Sequence, residues 1–334
     1  MFGLSVKRLS FAVAPALVAV FTAACSSDSS GSAAAATDAG GGQIDSGAQP
    51  QGKKDIVDTA AGAGFNTLLA AVKAAGLEST LRGAGPYTVF APTDAAFAKL
   101  PSFLLTKLTS APYKKELGLI LEYHVLAGAV KASDVLGKKQ SVPSLEGGKL
   151  SVDGSGGKVV INGGATVTTP DVGATNGVIH VIDGVLLPTI VDTASGYDDG
   201  TTKFSSLVGA VVAADLVGTL SGPGTFTVFA PTDAAFAALK AQVGDQAFAA
   251  ILADKAKLTK ILTYHVLAST VFEKDVAAGD VATVEGSKIK IAVSGGNVTI
   301  GDSTSTAAKV VLTDLPNSNG VIHVIDKVLL PPDL

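Results

Sequence analysis

Apolar and polar positions along the chain change their period in a fixed order, and that order occurs twice. Phe65, Leu68, Leu69 and Val72 recur at helical spacing, as do Phe204, Leu207, Val208 and Val211, so each half opens with an amphipathic helix that buries one face. A short TVF strand follows and runs into Ala-Pro-Thr-Asp. There Thr93 or Asp94, and Thr232 or Asp233, can accept the free N–H groups of a helix beginning at AAFA. A second helical stretch carries Leu117, Ile120 and Leu121, matched by Leu258, Ile261 and Leu262. The last third alternates like strands: KLSVD, KVVING and NGVIHVID in the first half, VATVEG, KIKIAVSG, NVTIGD and NGVIHVID in the second. Helices early and strands late predict an α+β fold with an antiparallel sheet packed as a sandwich, not βαβ winding. GSGG at 154–157 and SGG at 294–296 read as hairpin turns, since they lack the Lys-Ser/Thr and following helix of a phosphate loop.

The repetition extends to whole blocks. IVDTA at Ile56 returns at Ile190, YTVFAPTDAAFA at Tyr87 returns as FTVFAPTDAAFA at Phe226, YHVLA at Tyr123 returns at Tyr264, and NGVIHVIDGVLLP at Asn176 returns as NGVIHVIDKVLLP at Asn319. The offset grows slowly along the chain, as duplication followed by small insertions requires; the first insertion lies near SGYDDGTTK. A period of about 140 residues is a whole domain, not a solenoid unit. The domains are accordingly cut at Pro188/Thr189, giving 53–188 and 189–334. With so short a junction, a fixed angle between the two is expected.

The residues before 53 have a different character. Lys7 and Arg8 precede an apolar run from Phe11 to Ala24, the layout of a secretory signal over 1–24 and too short to cross a bilayer as a helix. Thr22, Ala23 and Ala24 lead into Cys25, the only cysteine, an arrangement that resembles a bacterial lipoprotein signal in which the cysteine is lipidated. Thr22 stands where Leu is usual, and ordinary signal cleavage is the other reading. Ser26, rather than Asp, after the cysteine points to an outer-membrane or surface destination by the same resemblance. Residues 25–52, built from Ser, Gly, Ala and Asp, read as a lipid-anchored, disordered tether. The expected product is exported, as a surface lipoprotein or as a secreted protein.

Composition removes several function classes. With 25 Lys+Arg against 29 Asp+Glu, no field gathers phosphates, and nucleic acid is not an expected partner. One cysteine permits no intrachain disulfide, thiolate zinc cage or CxxC pair. The absence of Trp makes an aromatic platform for sugar rings less favourable.

TVFAPTDAAF, the following Tyr-His pair and NGVIHVIDxVLLP resemble the signature stretches of fasciclin (FAS1) domains, and the match covers both repeats. The resemblance implies two domains, each a seven-stranded antiparallel β-sandwich or wedge with several helices. It also implies extracellular, non-catalytic adhesion with no cofactor: binding to cell-surface or matrix proteins, polysaccharide or a second copy. Membrane contact would come through the lipid anchor at Cys25. The family's proposed adhesion residues carry over to Tyr123 and His124, to Tyr264 and His265, and to an Asp-Ile pair that appears here as Asp171-Val172 and Asp314-Leu315. Those departures from Asp-Ile, and the absence of an RGD tripeptide, count against integrin binding.

Other chemistry has a plainer reading beside it. His124, His180, His265 and His323 all fall within repeated motifs, but no second ligand stands at metal spacing; His180 and His323 sit in strands apolar on both faces, as core residues do. The Tyr-His pairs suit either structure or surface recognition. Asp94 and Asp233 read as helix caps, and Asp183 and Asp326 as strand-end residues that bond the turn. Gly301-Asp302-Ser303 resembles the nucleophile block of GDS-type hydrolases, yet no base and orienting group follow in that style. Two alternatives to adhesion are a carrier of an apolar small molecule such as a carotenoid, as in some algal family members, and a serine hydrolase using Ser303.

Overall fold

The structure, a computed structural model, describes residues 54–334; the leader and tether read from the sequence, Cys25 among them, lie outside the described residues. The first repeat has strands β1 (Tyr87–Pro92), β2 (Val125–Ala127), β3 (Lys139–Pro143), β4 (Lys149–Asp153), β5 (Val160–Ile161), β6 (Ala165–Ala174) and β7 (Gly177–Ile182), hydrogen-bonded in the order β2-β1-β7-β6-β5-β4-β3. The second has β8 (Phe226–Pro231), β9 (Val266–Leu267), β10 (Gly279–Ala282), β11 (Lys288–Ser294), β12 (Asn297–Gly301), β13 (Ala308–Asn317) and β14 (Gly320–Ile325) in the matching order. Seven strands per repeat and the α+β class agree with the sequence reading. One pair in each sheet is parallel: Tyr87 lies opposite Gly177, and Phe226 opposite Gly320. The chain between those strands runs through most of the repeat, which leaves ample length for a parallel return.

The periodicity did not reveal β6 or β13. Both carry register shifts and an aspartate at φ +58, Asp171 and Asp314, so their alternation is interrupted. The bends let the sheet curl over itself. Phe90 of β1 meets Leu150 and Val152 of β4 in one closed core, although three strands lie between them in the sheet order. Val89 and Ala91, on the opposite face of β1, pack against the helices instead. With both faces buried, TVFA has to be apolar throughout.

The expected helices form at Asn66–Ala75, Lys114–Tyr123, Ser205–Ala213 and Lys255–Tyr264. Each repeat also begins with an additional short helix from the IVDTA block, Ile56–Gly62 and Ile190–Gly196. The Thr-Asp pair divides its capping between two helices. Thr93 and Thr232 accept from Ala96 N and Ala235 N of their own helix. Asp94 and Asp233 accept from Thr67 N and Ser206 N, at 2.9 and 2.7 Å, and so cap the neighbouring helix rather than the one they begin. In the second hairpin, Gly295 and Gly296 form the whole turn at φ +57 and +81, the geometry of a type I′ connection.

The asparagine of NGVIH ties sheet to helices. Asn176 Oδ1 accepts from Ile56 N at 3.0 Å while Nδ2 donates to Leu81 O and Gly83 O; Asn319 makes the same three bonds to Ile190, Leu220 and Gly222. The glycine that follows is equally constrained, because a Cβ at Gly177 or Gly320 would stand 2.1 Å from the carbonyl oxygen of Tyr87 or Phe226. Asn319→Ala is expected to lower stability by about 2 kcal/mol, since it strands buried backbone groups. An unchanged urea midpoint in that variant would contradict this role for the side chain.

The two repeats do not fold as separate beads. One continuous set of buried apolar side chains runs from Leu108, Leu117 and Leu119 of the first repeat into Ile190, Tyr197 and Leu315 of the second. Among the described residues, no helix is long and apolar enough to cross a membrane.

Candidate functional site

Tyr123 and Tyr264 end their helices in the interior, each about 1% exposed, and His124 and His265 follow at 2%. Tyr123 Oη donates to Lys149 O and accepts from Asn162 Nδ2; Tyr264 Oη donates to Lys288 O at 2.9 Å. His124 Nδ1 donates to Ile120 O at 2.7 Å, and its Nε2 accepts from Leu186 N at 2.9 Å. His265 repeats this with Ile261 O and Leu329 N, both at 2.8 Å. One carbonyl and one amide N–H fix a neutral tautomer, and burial pushes both histidines down to about 4. In this arrangement the Tyr-His pairs join the helix end to the sheet and present nothing to a partner.

His180 and His323 take the opposite tautomer. Nε2 donates to Val130 O or Val271 O at 2.8 Å, and Nδ1 accepts from the backbone N–H of Asp171 or Asp314. They therefore position the aspartate bulges. Among the described residues no cluster of His, Cys, Asp or Glu could hold a metal ion.

At the bulges themselves the repeats diverge. Asp171 Oδ1 accepts from Ala132 N at 3.0 Å, as Asp314 Oδ1 accepts from Glu273 N at 2.7 Å. In the second repeat, the Ser102–Leu108 helix of the first lies over this place. Lys107 Nζ reaches Asp314 Oδ2 at 2.7 Å, Glu273 Oε2 at 2.6 Å and Thr313 Oγ1 at 2.6 Å, and Tyr113 Oη lies 3.3 Å from Thr313 Oγ1. Phe103 packs edge-on against Phe272, ring centres 5.3 Å apart. Burial opposes the charge on Lys107, but the bonds from Asp314 and Glu273 outweigh it and hold the amine above the ordinary lysine range. Asp314 and Leu315 are both buried. Asp171 is exposed and Val172 only half-buried, and Val172 lines an open groove of about 390 Å³ with Thr59, Phe65, Thr93, Asp94 and Thr169.

Sequence reasoning had no route to Lys107 or Tyr113, because their partners lie some 200 residues away. The one available signal was negative: the block between PTDAAFA and the Tyr-His helix does not recur as the signature blocks do.

The remaining candidates are structural. Ser303 Oγ donates to Leu330 O at 2.8 Å, Asp302 is held by Lys327 at 2.9 Å, and all four histidines already engage two partners, so none of them serves Ser303 as a base. The apolar cavities between the opening helices and sheet of each repeat hold about 30 Å³ apiece, far too little for a carotenoid.

The family model for the fasciclin domain matches residues 63–188 and again 202–331. The chain is 46% identical over 144 residues to Protein sll1483 of Synechocystis, covering 43% of this chain and 74% of that one. It is 30% identical to transforming growth factor-beta-induced protein ig-h3 of Sus scrofa and 31% identical to human periostin, each over 76% of this chain, and spans 36% and 29% of those longer proteins. The solved FAS1 domain pair from the insect cell adhesion molecule fasciclin I is similar at 20% identity and a TM-score of 0.39, covering 81% of this chain and 98% of that one. Two matches to one domain model, over more than half of the chain, place it in a family: this protein belongs to the fasciclin-domain proteins and carries the domain twice.

Proposed function

We propose that the chain is an extracellular, non-catalytic adhesion protein that binds a cell-surface or matrix protein or polysaccharide through the Asp171-Val172 face. It is exported and held at the cell surface by lipid on Cys25, or released. The observation that carries the reading is the inequality of two equivalent faces. The bulge of the second repeat is spent on holding the repeats together, whereas in the first Asp171 is exposed and the neighbouring Val172 lines an open groove. The family's extracellular adhesion role supports this assignment, and so does the occupation of every histidine and of Ser303 in structural bonds. Weak contacts through one face gain strength when many copies line a surface.

Beads coated with the chain are expected to be retained on cells or extracted matrix of the producing organism, and Asp171→Asn is expected to reduce that retention severalfold. Asparagine keeps the bond to Ala132 N and tolerates the positive φ, so only the charge is removed. Retention no better than that of uncoated beads would overturn the adhesion reading. Equal retention by the variant would remove Asp171 from it.

A further inference from the structure

The groove that is open in the first repeat is filled in the second. Phe65, Val172, Ile179 and Val181 line it, with Ala63 and Asp94 beside them. The counterparts of those four apolar residues, Phe204, Leu315, Ile322 and Val324, are at most 1% exposed. The two places differ at the end of the IVDTA helix. Ala63 N donates to Thr59 O and Tyr197 N donates to Thr193 O, so the two residues hold the same position on the same turn. Ala63 is exposed, whereas Tyr197 is buried with its ring against Phe204, centres 5.6 Å apart. The second repeat thus lays an aromatic ring of its own chain on the phenylalanine that, in the first, lines an open groove.

The charges near the groove complete its description. The Tyr197 hydroxyl lies 3.5 Å from the Asp199 carboxylate. In the first repeat the acid at the groove is Asp94, whose carboxyl the Thr67 N–H holds below the usual range, and exposed Asp171 adjoins Val172. Among the described residues, neither carboxylate is paired with a cation. An apolar groove with two such carboxylates is complementary to an aromatic ring that carries a hydroxyl and has a positive charge beside it.

We propose that the groove takes the tyrosine side chain of a partner polypeptide, and that a lysine or arginine next to that tyrosine meets Asp94 or Asp171. The ring lies on Phe65 as Tyr197 lies on Phe204. This names the chemistry of the partner of the Asp171-Val172 face and rests on that assignment; uptake of a defined polymer and retention on native surfaces are separate measurements, so either can fail alone.

The test uses beads coated with the full chain carrying Cys25→Ser, which removes any contribution from lipid. The probes are soluble random copolymers of lysine with tyrosine, lysine with alanine, and glutamate with tyrosine. Uptake of the lysine-tyrosine polymer is expected to exceed that of lysine-alanine by about fivefold or more, since a repeated aromatic anchor multiplies a weak contact. Glutamate-tyrosine is expected to be taken up least. Ala63→Tyr fills the groove with the side chain that the second repeat uses, at a φ of −93 that any residue adopts. It is expected to erase the preference for tyrosine over alanine while leaving lysine-dependent uptake and the melting temperature intact. If it melts early, Thr169→Phe, at an exposed position of the groove, takes its place. Equal uptake of lysine-tyrosine and lysine-alanine by the wild-type chain, equal uptake of lysine-tyrosine and glutamate-tyrosine, or a tyrosine preference that survives the groove-filling variant overturns the proposal. Retention on native matrix without a tyrosine preference overturns this partner and leaves adhesion standing. A tyrosine preference lost in Ala63→Tyr, with no retention on native surfaces, supports the groove and overturns adhesion.

Discussion

Replacing Glu116 by methionine is expected to stabilise the folded chain, and by more as the pH rises. Glu116 lies on the Lys114–Tyr123 helix with no exposed surface, and neither carboxyl oxygen has a hydrogen-bond partner. Burial, and secondarily the charge of Glu146, push its pKa up to about 8. The folded chain therefore holds this proton between about 4.5 and 8, where the unfolded chain has released it. With more protons bound in the folded state, stability falls as pH rises through that window and is level above it. A shift of this size corresponds to about 5 kcal/mol lost by pH 9. Methionine fills the same unbranched shape without a group to ionise, so the difference between variant and wild type is expected to be small at pH 4.5 and to approach that figure at pH 9. Glu146, itself raised to about 7 by burial, titrates in the same window but is present in both chains and cancels to first order. Urea unfolding at pH 4.5, 7 and 9 reads the effect directly. A stability difference that does not change with pH would show that Glu116 ionises normally in the fold. Glu116→Gln provides a control: it removes the part of the pH dependence due to Glu116 yet leaves a buried amide unpartnered, and is expected to stabilise less.

That carboxyl also shows where the sequence stops being legible. The repeats align closely enough to yield two domains, the main helices, the capping threonines and most strands, because each of those follows from local periodicity or from a short motif. The same alignment sets Glu116 opposite Lys257, which is exposed. Nothing local distinguishes the two positions; one helix is covered by the other repeat and the other is not. Asp171 and Asp314 repeat the lesson. Both sit at φ +58 after a register shift, both accept from a backbone N–H, and both are oriented by a histidine nine residues on. Their motif is the same, and their exposure is opposite. The Tyr-His pairs fail in the other direction. Tyrosine and histidine are compatible with a surface or a core, and only the placement of Lys149, Ile120 and Leu186 around the first pair decides for the core.

The contact between the repeats can be opened at one residue. Lys107→Ala is expected to cost about 3 kcal/mol, because the Asp314 side chain, 2% exposed, loses its cation. Glu273, at 39%, can turn to water and adds little. The loss is expected mainly in the second repeat, whose bulge face then lies under a helix that no longer neutralises it. Wild-type calorimetry is expected to show one transition, as the shared core requires, and the variant two, with the second repeat melting first. Lys107→Ala combined with Asp314→Asn is expected to regain part of the loss, since asparagine still accepts from Glu273 N and leaves no buried charge. A single transition at the wild-type temperature in Lys107→Ala would mean that the apolar contacts of Phe103, Leu108 and Tyr113 hold the repeats together without the ion pair. The adhesion reading depends on this joint: while it is closed, the second bulge is withheld, and only the first repeat offers its Asp171 face. Opening it is expected to expose a second aspartate bulge, so Lys107→Ala beads should gain retention on any surface that recognises Asp171 by its carboxylate.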